Sequence, residues 1–140
     1  MTNFVAIVGS TKDKREVANK VVHWCIEKMM PRMKTLEIVV NLKDLKGQAY
    51  GYCMEGDNNR EFELEIDKNL NLYDLVSTIC HEMVHVKQYA RRELRCDRDG
   101  NQMWKKGKYN NVQYADAPWE KEAFKLERGL ALECFENANL

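Results

Sequence analysis

The chain has 140 residues, of which 44% are hydrophobic and 31% charged, and its 22 basic side chains balance its 22 acidic ones. This length and composition predict one soluble domain spanning residues 1–140. The balanced charge argues against a nucleic-acid partner, and no apolar run is long enough for a signal peptide or a membrane span. The five scattered cysteines form no CxxC pair, which favours reduced thiols and a cytoplasmic location.

The first two predicted elements lie before residue 31. Residues 4–8 form a short apolar run that suits either a strand or the approach to a helix. Apolar side chains at helical spacing then predict a helix from about 12 to 30. Ser10 or Thr11 offers an N-cap for this helix, and Pro31 marks its end.

Three predicted strands follow. Segments 36–42 and 49–54 are rich in β-branched or aromatic residues, which suits strands. In segment 61–66, apolar side chains alternate strictly with glutamates, so one face is expected to be wet. The turn-forming residues 55–59 just before this segment predict an antiparallel hairpin.

The second half of the chain is predicted to hold two helices joined by a long loop. A helix is expected from about Leu72 to Arg95, capped by Asn69 or Asn71. Residues 96–117 are polar and aromatic without a clear period, and Pro118 then opens a last helix. This order of elements predicts an α+β fold with a small, mostly antiparallel sheet packed on helices.

The motif that carries chemistry lies within the helix predicted to begin at Leu72 and reads His81-Glu82-Met83-Val84-His85. Histidines four residues apart project from one helix face, so both imidazoles can reach one zinc ion. The adjacent Glu82 is then placed to take a proton from a zinc-activated water, as a general base.

A catalytic zinc usually takes three protein ligands and keeps a fourth position for water or substrate. His23 is the remaining histidine, but it lies on the first predicted helix and suits an ordinary helix-surface position. Glu120 and Glu122, in the first turn of the last helix, are better candidates. The small Ala123 beside them would allow this helix to approach the motif helix closely.

The HExxH helix followed by Glu-x-Glu-Ala on a second helix resembles the gluzincin-type metallopeptidases, in particular the minigluzincins. The similarity covers about residues 36–130 and implies a zincin-like core with Glu120 as the third ligand and Glu122 as the fallback. SprT-like small proteases share this minimal core, but they use a third histidine where this chain offers glutamates. The resemblance implies a zinc metallopeptidase acting on a peptide or protein.

Two further roles follow from this interpretation. Tyr109 and Tyr114 lie in the long loop, where a phenol can stabilise an oxyanion, and we assign that role to Tyr114. The strand 61–66 or its hairpin partner is expected to border the cleft and to pair with an extended substrate. The alternative is a zinc-binding interaction or regulatory module without turnover, which an intact Glu82 disfavours.

Overall fold

The computed structural model describes residues 2–110 and 112–140. The described residues form helices, a mixed four-stranded sheet and a smaller three-stranded sheet, so the protein is α+β. The elements in chain order are β1 (Phe4–Val8), α1 (Lys12–Met29), β2 (Glu37–Lys43), β3 (Gly51–Glu55), β4 (Glu61–Asp67), α2 (Leu72–Ala90), β5 (Leu94–Cys96), β6 (Gln102–Trp104), β7 (Gly107–Tyr109), a 3₁₀-helical turn (Tyr114–Asp116) and α3 (Pro118–Asn137).

The main sheet has the strand order β1-β2-β4-β3 and is mixed. β2 runs parallel to both β1 and β4, and β3 pairs antiparallel with β4 as the predicted hairpin. The prediction of a mostly antiparallel sheet is therefore wrong for this sheet. Residues 4–8 are a strand, and α1 carries the chain from β1 to β2, a crossover that makes those two strands parallel.

The core lies between the main sheet and the helices. Alternation along β4 buries Phe62, Leu64 and Ile66, and these side chains join apolar residues of α1, α2 and α3 in one cluster. The motif helix α2 is covered on nearly every side: fourteen of its residues are buried. A helix held this firmly can present two side chains to a ligand with little loss of conformational entropy on binding.

The ends of α2 differ in how well the sequence predicted them. Asn71 is the N-cap, and its side chain accepts a hydrogen bond from the Asp74 backbone nitrogen at 2.8 Å. The helix ends at Ala90 rather than at the predicted Arg95, because Arg92 takes a left-handed conformation with φ of 58°. Leu94 then begins a strand, which leads into a second sheet of three antiparallel strands where an irregular loop was predicted.

Among residues 2–110 and 112–140, no helix has the length and apolar character needed to cross a membrane.

Candidate metal centre

His81 and His85 lie one helical turn apart on the same face of α2, and both are buried. Their ring centroids are 5.0 Å apart, and the rings stand at 79° to each other. Each Nε2 atom lies 3.1 Å from the same carboxylate oxygen, Oε1 of Glu120. Three candidate ligand atoms from two helices therefore meet within 4.8 Å of one another.

Glu120 reaches this point because of where α3 begins. Pro118 is the first residue of α3, which puts Glu120 in the first turn of that helix. Ala123, one turn further on, is fully buried. Its small side chain allows α3 to lie close against α2, so that a glutamate one turn earlier can face the histidines.

The outer nitrogen of each imidazole has its own partner. His81 Nδ1 lies 3.3 Å from Glu127 Oε1, and the other oxygen of Glu127 accepts a hydrogen bond from Ser77 Oγ at 3.0 Å. His85 Nδ1 lies 2.8 Å from Gln88 Oε1. The side-chain nitrogen of Gln88 donates to the Trp119 carbonyl at 2.9 Å, which leaves Gln88 Oε1 to face His85.

These partners determine which nitrogen of each ring carries the proton. A carboxylate and an amide oxygen can only accept, so His81 and His85 donate from Nδ1 when they are neutral. Their Nε2 atoms are then acceptors, and both face Glu120 Oε1, which is also an acceptor. With both imidazoles neutral, three lone pairs converge without a proton among them, which is the arrangement that a divalent cation satisfies.

The pKa values of the cluster follow from the same arrangement. Burial lowers the pKa of His81, but its bonds to Glu120 and Glu127 raise it by more, to about 9. The pKa of His85 is likewise raised, since Glu120 outweighs the effect of burial. Burial raises the pKa of Glu120, but the two histidines lower it by more, to about 2. Positive charge is thus strongly favoured at this point, whether protons or a metal ion supply it.

The structure separates the two glutamates between which the sequence could not choose. Glu122 Oε1 lies 3.1 Å from both Lys87 Nζ and Gln88 Nε2, on the flank of the cluster. It therefore supports Gln88 and does not face the histidines. His23 is exposed on α1 and takes no part in the cluster.

Two supporting residues, Glu127 and Ser77, were missed by the sequence analysis. Glu127 lies seven residues after Glu120, which is two turns along the same face of α3. That spacing was the available signal. It becomes informative only once α3 is known to lie against α2.

Glu82 lies beside the cluster, between two openings of the cleft. The side chain is buried, and it lines both cavities that flank the site. Burial raises the pKa of the Glu82 carboxyl, and the lowering effect of His85 and His81 does not cancel this. A raised pKa suits a carboxylate that takes up a proton during a reaction.

Of the two loop tyrosines, Tyr114 lies at the site. It lines both cavities and packs edge-on against Phe124. Burial and then the Glu120 carboxylate raise the pKa of the Tyr114 phenol, so it keeps its proton for a hydrogen bond. Tyr109 instead packs edge-on against Trp119 at 6.0 Å and lines neither cavity.

The strand beside the cleft is β3, the edge of the main sheet. Gly51 and Tyr52 of β3 line both cavities, while the strand predicted at 61–66 is β4, which lies between β2 and β3. Of the two alternatives, the hairpin partner is therefore the one at the cleft. At Gly51 the strand comes so close to α2 that an added Cβ would lie 2.9 Å from Thr78 Cγ2.

All five cysteines are free, and none of them belongs to the group of candidate ligands His81, His85 and Glu120. Cys80 precedes His81 but faces another side of α2, where its sulfur lies 3.8 Å from that of Cys25 on α1. The hydrogen bond with Cys80 raises the pKa of the Cys25 thiol, and burial raises it further. Cys25 and Cys80 are fully buried and behave as small core side chains rather than as ligands.

Comparison of the chain with protein-family models, with curated proteins and with solved structures found no match. What the site does must therefore be inferred from its own residues and their geometry.

Proposed function

We propose that this protein is a zinc-dependent metallopeptidase with a zincin-like core. The observation that carries the proposal is the convergence of His81 Nε2, His85 Nε2 and Glu120 Oε1 at an open cleft, with Glu82 beside them. Three protein ligands and an open side are typical of catalytic zinc sites, whereas structural sites complete four protein ligands. Two imidazoles and one carboxylate form a donor set that zinc accepts readily.

The protein residues divide the work of peptide hydrolysis. His81, His85 and Glu120 would hold the zinc ion, which when bound supplies Lewis-acid polarisation of a carbonyl and lowers the pKa of water. Glu82 takes a proton from the attacking water and transfers it to the leaving nitrogen. Tyr114, at the mouth of both cavities, donates a hydrogen bond to the oxyanion that develops on the substrate.

The edge strand β3 supports a peptide as the substrate. Within the described residues β3 pairs only with β4, so backbone groups along its other edge are free to pair with an extended chain. That edge borders the cleft through Gly51 and Tyr52. A bound peptide would lie along β3 and pass over Glu82.

The first test is the metal content of the purified protein, measured by elemental mass spectrometry. We expect about one zinc per chain, lost in Glu120→Gln and retained in the matched variant Glu122→Gln, because Glu120 faces the Nε2 atoms of both histidines and Glu122 does not. A parent protein that takes up no stoichiometric zinc, even when zinc is offered, would refute the proposal.

The second test separates an enzyme from a zinc-binding module. Glu82→Gln should retain zinc and lose hydrolysis of an unfolded, fluorescently labelled protein that the parent cleaves. Zinc binding without any cleavage by the parent would favour the non-catalytic interaction or regulatory module instead.

A further inference from the structure

The cleft over the candidate metal centre has two unequal cavities. The larger, of about 510 Å³, opens on the His81 side, and the smaller, of about 150 Å³, opens on the His85 side. Glu82, Tyr114 and the Gly51–Tyr52 segment of β3 line both, so they mark the boundary between them. A peptide that crosses this boundary would place one side chain in each cavity.

The larger cavity has two carboxylates among its lining residues, besides the His81 imidazole at its inner end. Glu82 and Glu127 are its carboxylates, and none of its lining residues is a lysine or an arginine. An acidic substrate side chain placed against Glu127 would meet a like charge, which is unfavourable at short range.

Glu127 has hydrogen-bonding capacity left after it supports His81. One of its oxygens faces His81 Nδ1 and the other accepts from Ser77 Oγ, but each carboxylate oxygen has two lone pairs. Its side chain is 23% exposed and lines the larger cavity. A guanidinium or ammonium group in the cavity can therefore bond to Glu127 without displacing either partner.

Aromatic rings form much of the remaining lining. Tyr50, Tyr52, Tyr114 and Phe124 all border the larger cavity, and each exposes more than a third of its surface. Ring faces attract a cation, and arginine in particular stacks on them while its apolar stem packs alongside. Aromatic surface and a carboxylate together are complementary to a long basic side chain.

We propose that the larger cavity binds an arginine or lysine side chain of the substrate next to the scissile bond, and that Glu127 selects its positive charge. The inference rests on the proposed function and adds the substrate class. Uncharged side chains can enter the same cavity, but they gain no charge-assisted bond to Glu127.

The test begins with zinc-loaded parent protein and a library of unstructured peptides of random sequence. Cleavage sites read by mass spectrometry should show arginine and lysine enriched at one position adjacent to the cut. Two peptides are then made from the best sequence, one with arginine at that position and one with citrulline, which has nearly the same shape and no charge. We expect kcat/KM to favour arginine by about tenfold or more.

Two variants assign this preference to Glu127. In Glu127→Gln the arginine-to-citrulline ratio of kcat/KM should fall close to one, because the amide keeps an acceptor for His81 but loses the charge. In the control Glu63→Gln, which makes the same change on the exposed outer face of β4, the ratio should stay at the parent value. A ratio is used because any loss of zinc or of general activity affects both peptides equally.

Three outcomes would overturn the inference. Equal cleavage of the arginine and citrulline peptides would remove the basic-residue preference, and an unchanged ratio in Glu127→Gln would remove Glu127 as the residue that selects the charge; both leave the peptidase proposal standing. No cleavage of any library peptide by the zinc-loaded parent would remove the peptidase proposal, and the inference with it.

Discussion

Gln88 provides a quantitative test of how the candidate metal centre is held together. The side chain is fully buried and makes three hydrogen bonds: it accepts from His85 Nδ1 and donates to the Trp119 carbonyl and to Glu122 Oε1. It thereby joins His85 on α2 to the first turn of α3, which also contains Glu120. Replacing it by methionine keeps the length of the side chain and removes all three bonds.

The expected cost can be worked from these bonds. At about 1 kcal/mol net for each, Gln88→Met should lower the free energy of unfolding of the metal-free protein by about 3 kcal/mol. That is a large fraction of the roughly 5–15 kcal/mol typical of a domain. Loss of the partner that orients a metal-binding histidine typically weakens metal affinity by about 10- to 100-fold, so zinc binding should fall by that factor as well.

Urea unfolding in the presence of a chelator measures the first quantity, and competition with a chromogenic zinc chelator measures the second. The matched control is Gln113→Met, which makes the same change at an exposed glutamine outside the cluster. The control should match the parent in both assays. If Gln88→Met unfolds at the same urea concentration as the control and binds zinc equally well, then Gln88 does not hold His85.

Two other predictions concern the cleft strand and the charge of the cluster. Gly51→Ala should lower stability by about 1–3 kcal/mol in urea unfolding, because the new Cβ would lie 2.9 Å from Thr78 Cγ2. Gly129→Ala, in open space on α3, should instead stabilise by about 0.5–1 kcal/mol, and a loss of stability there would contradict the packing described. In metal-free protein His81 has a pKa raised to about 9, so its contribution to stability is complete below its ordinary value of 6.5 and is lost as pH rises through 9. Unfolding midpoints measured in chelator from pH 6.5 to 9 should therefore fall in the parent and fall less in Glu120→Gln; equal slopes would refute this.

Local features of the chain were predictable because they depend on short-range geometry. The helix containing His81 and His85, the cap at Asn71 and the alternation of segment 61–66 all follow from the spacing of neighbouring residues. Spacing alone also puts both imidazoles on one face of α2. The sequence by itself thus determined which two histidines lie together and which glutamate stands beside them.

Features that depend on distant parts of the chain were not predictable in this way. Glu120 and Glu122 are separated by about 200° around α3, and only the packing of that helix decides which of them faces α2. The parallel pairing of β2 with β4 arises in the same way, since the hairpin alone does not say on which side β3 lies.

The sequence supplied the chemistry of each candidate ligand, because chemistry and helical spacing are local properties. Only the tertiary structure decided the rest: which carboxylate completes the cluster, that Glu127 and Gln88 orient the imidazoles, and that β3 borders the cleft. All three of these features depend on how α3 and the edge strand of the sheet pack against α2. That placement is set by burial of apolar side chains from the whole chain, which no single segment encodes.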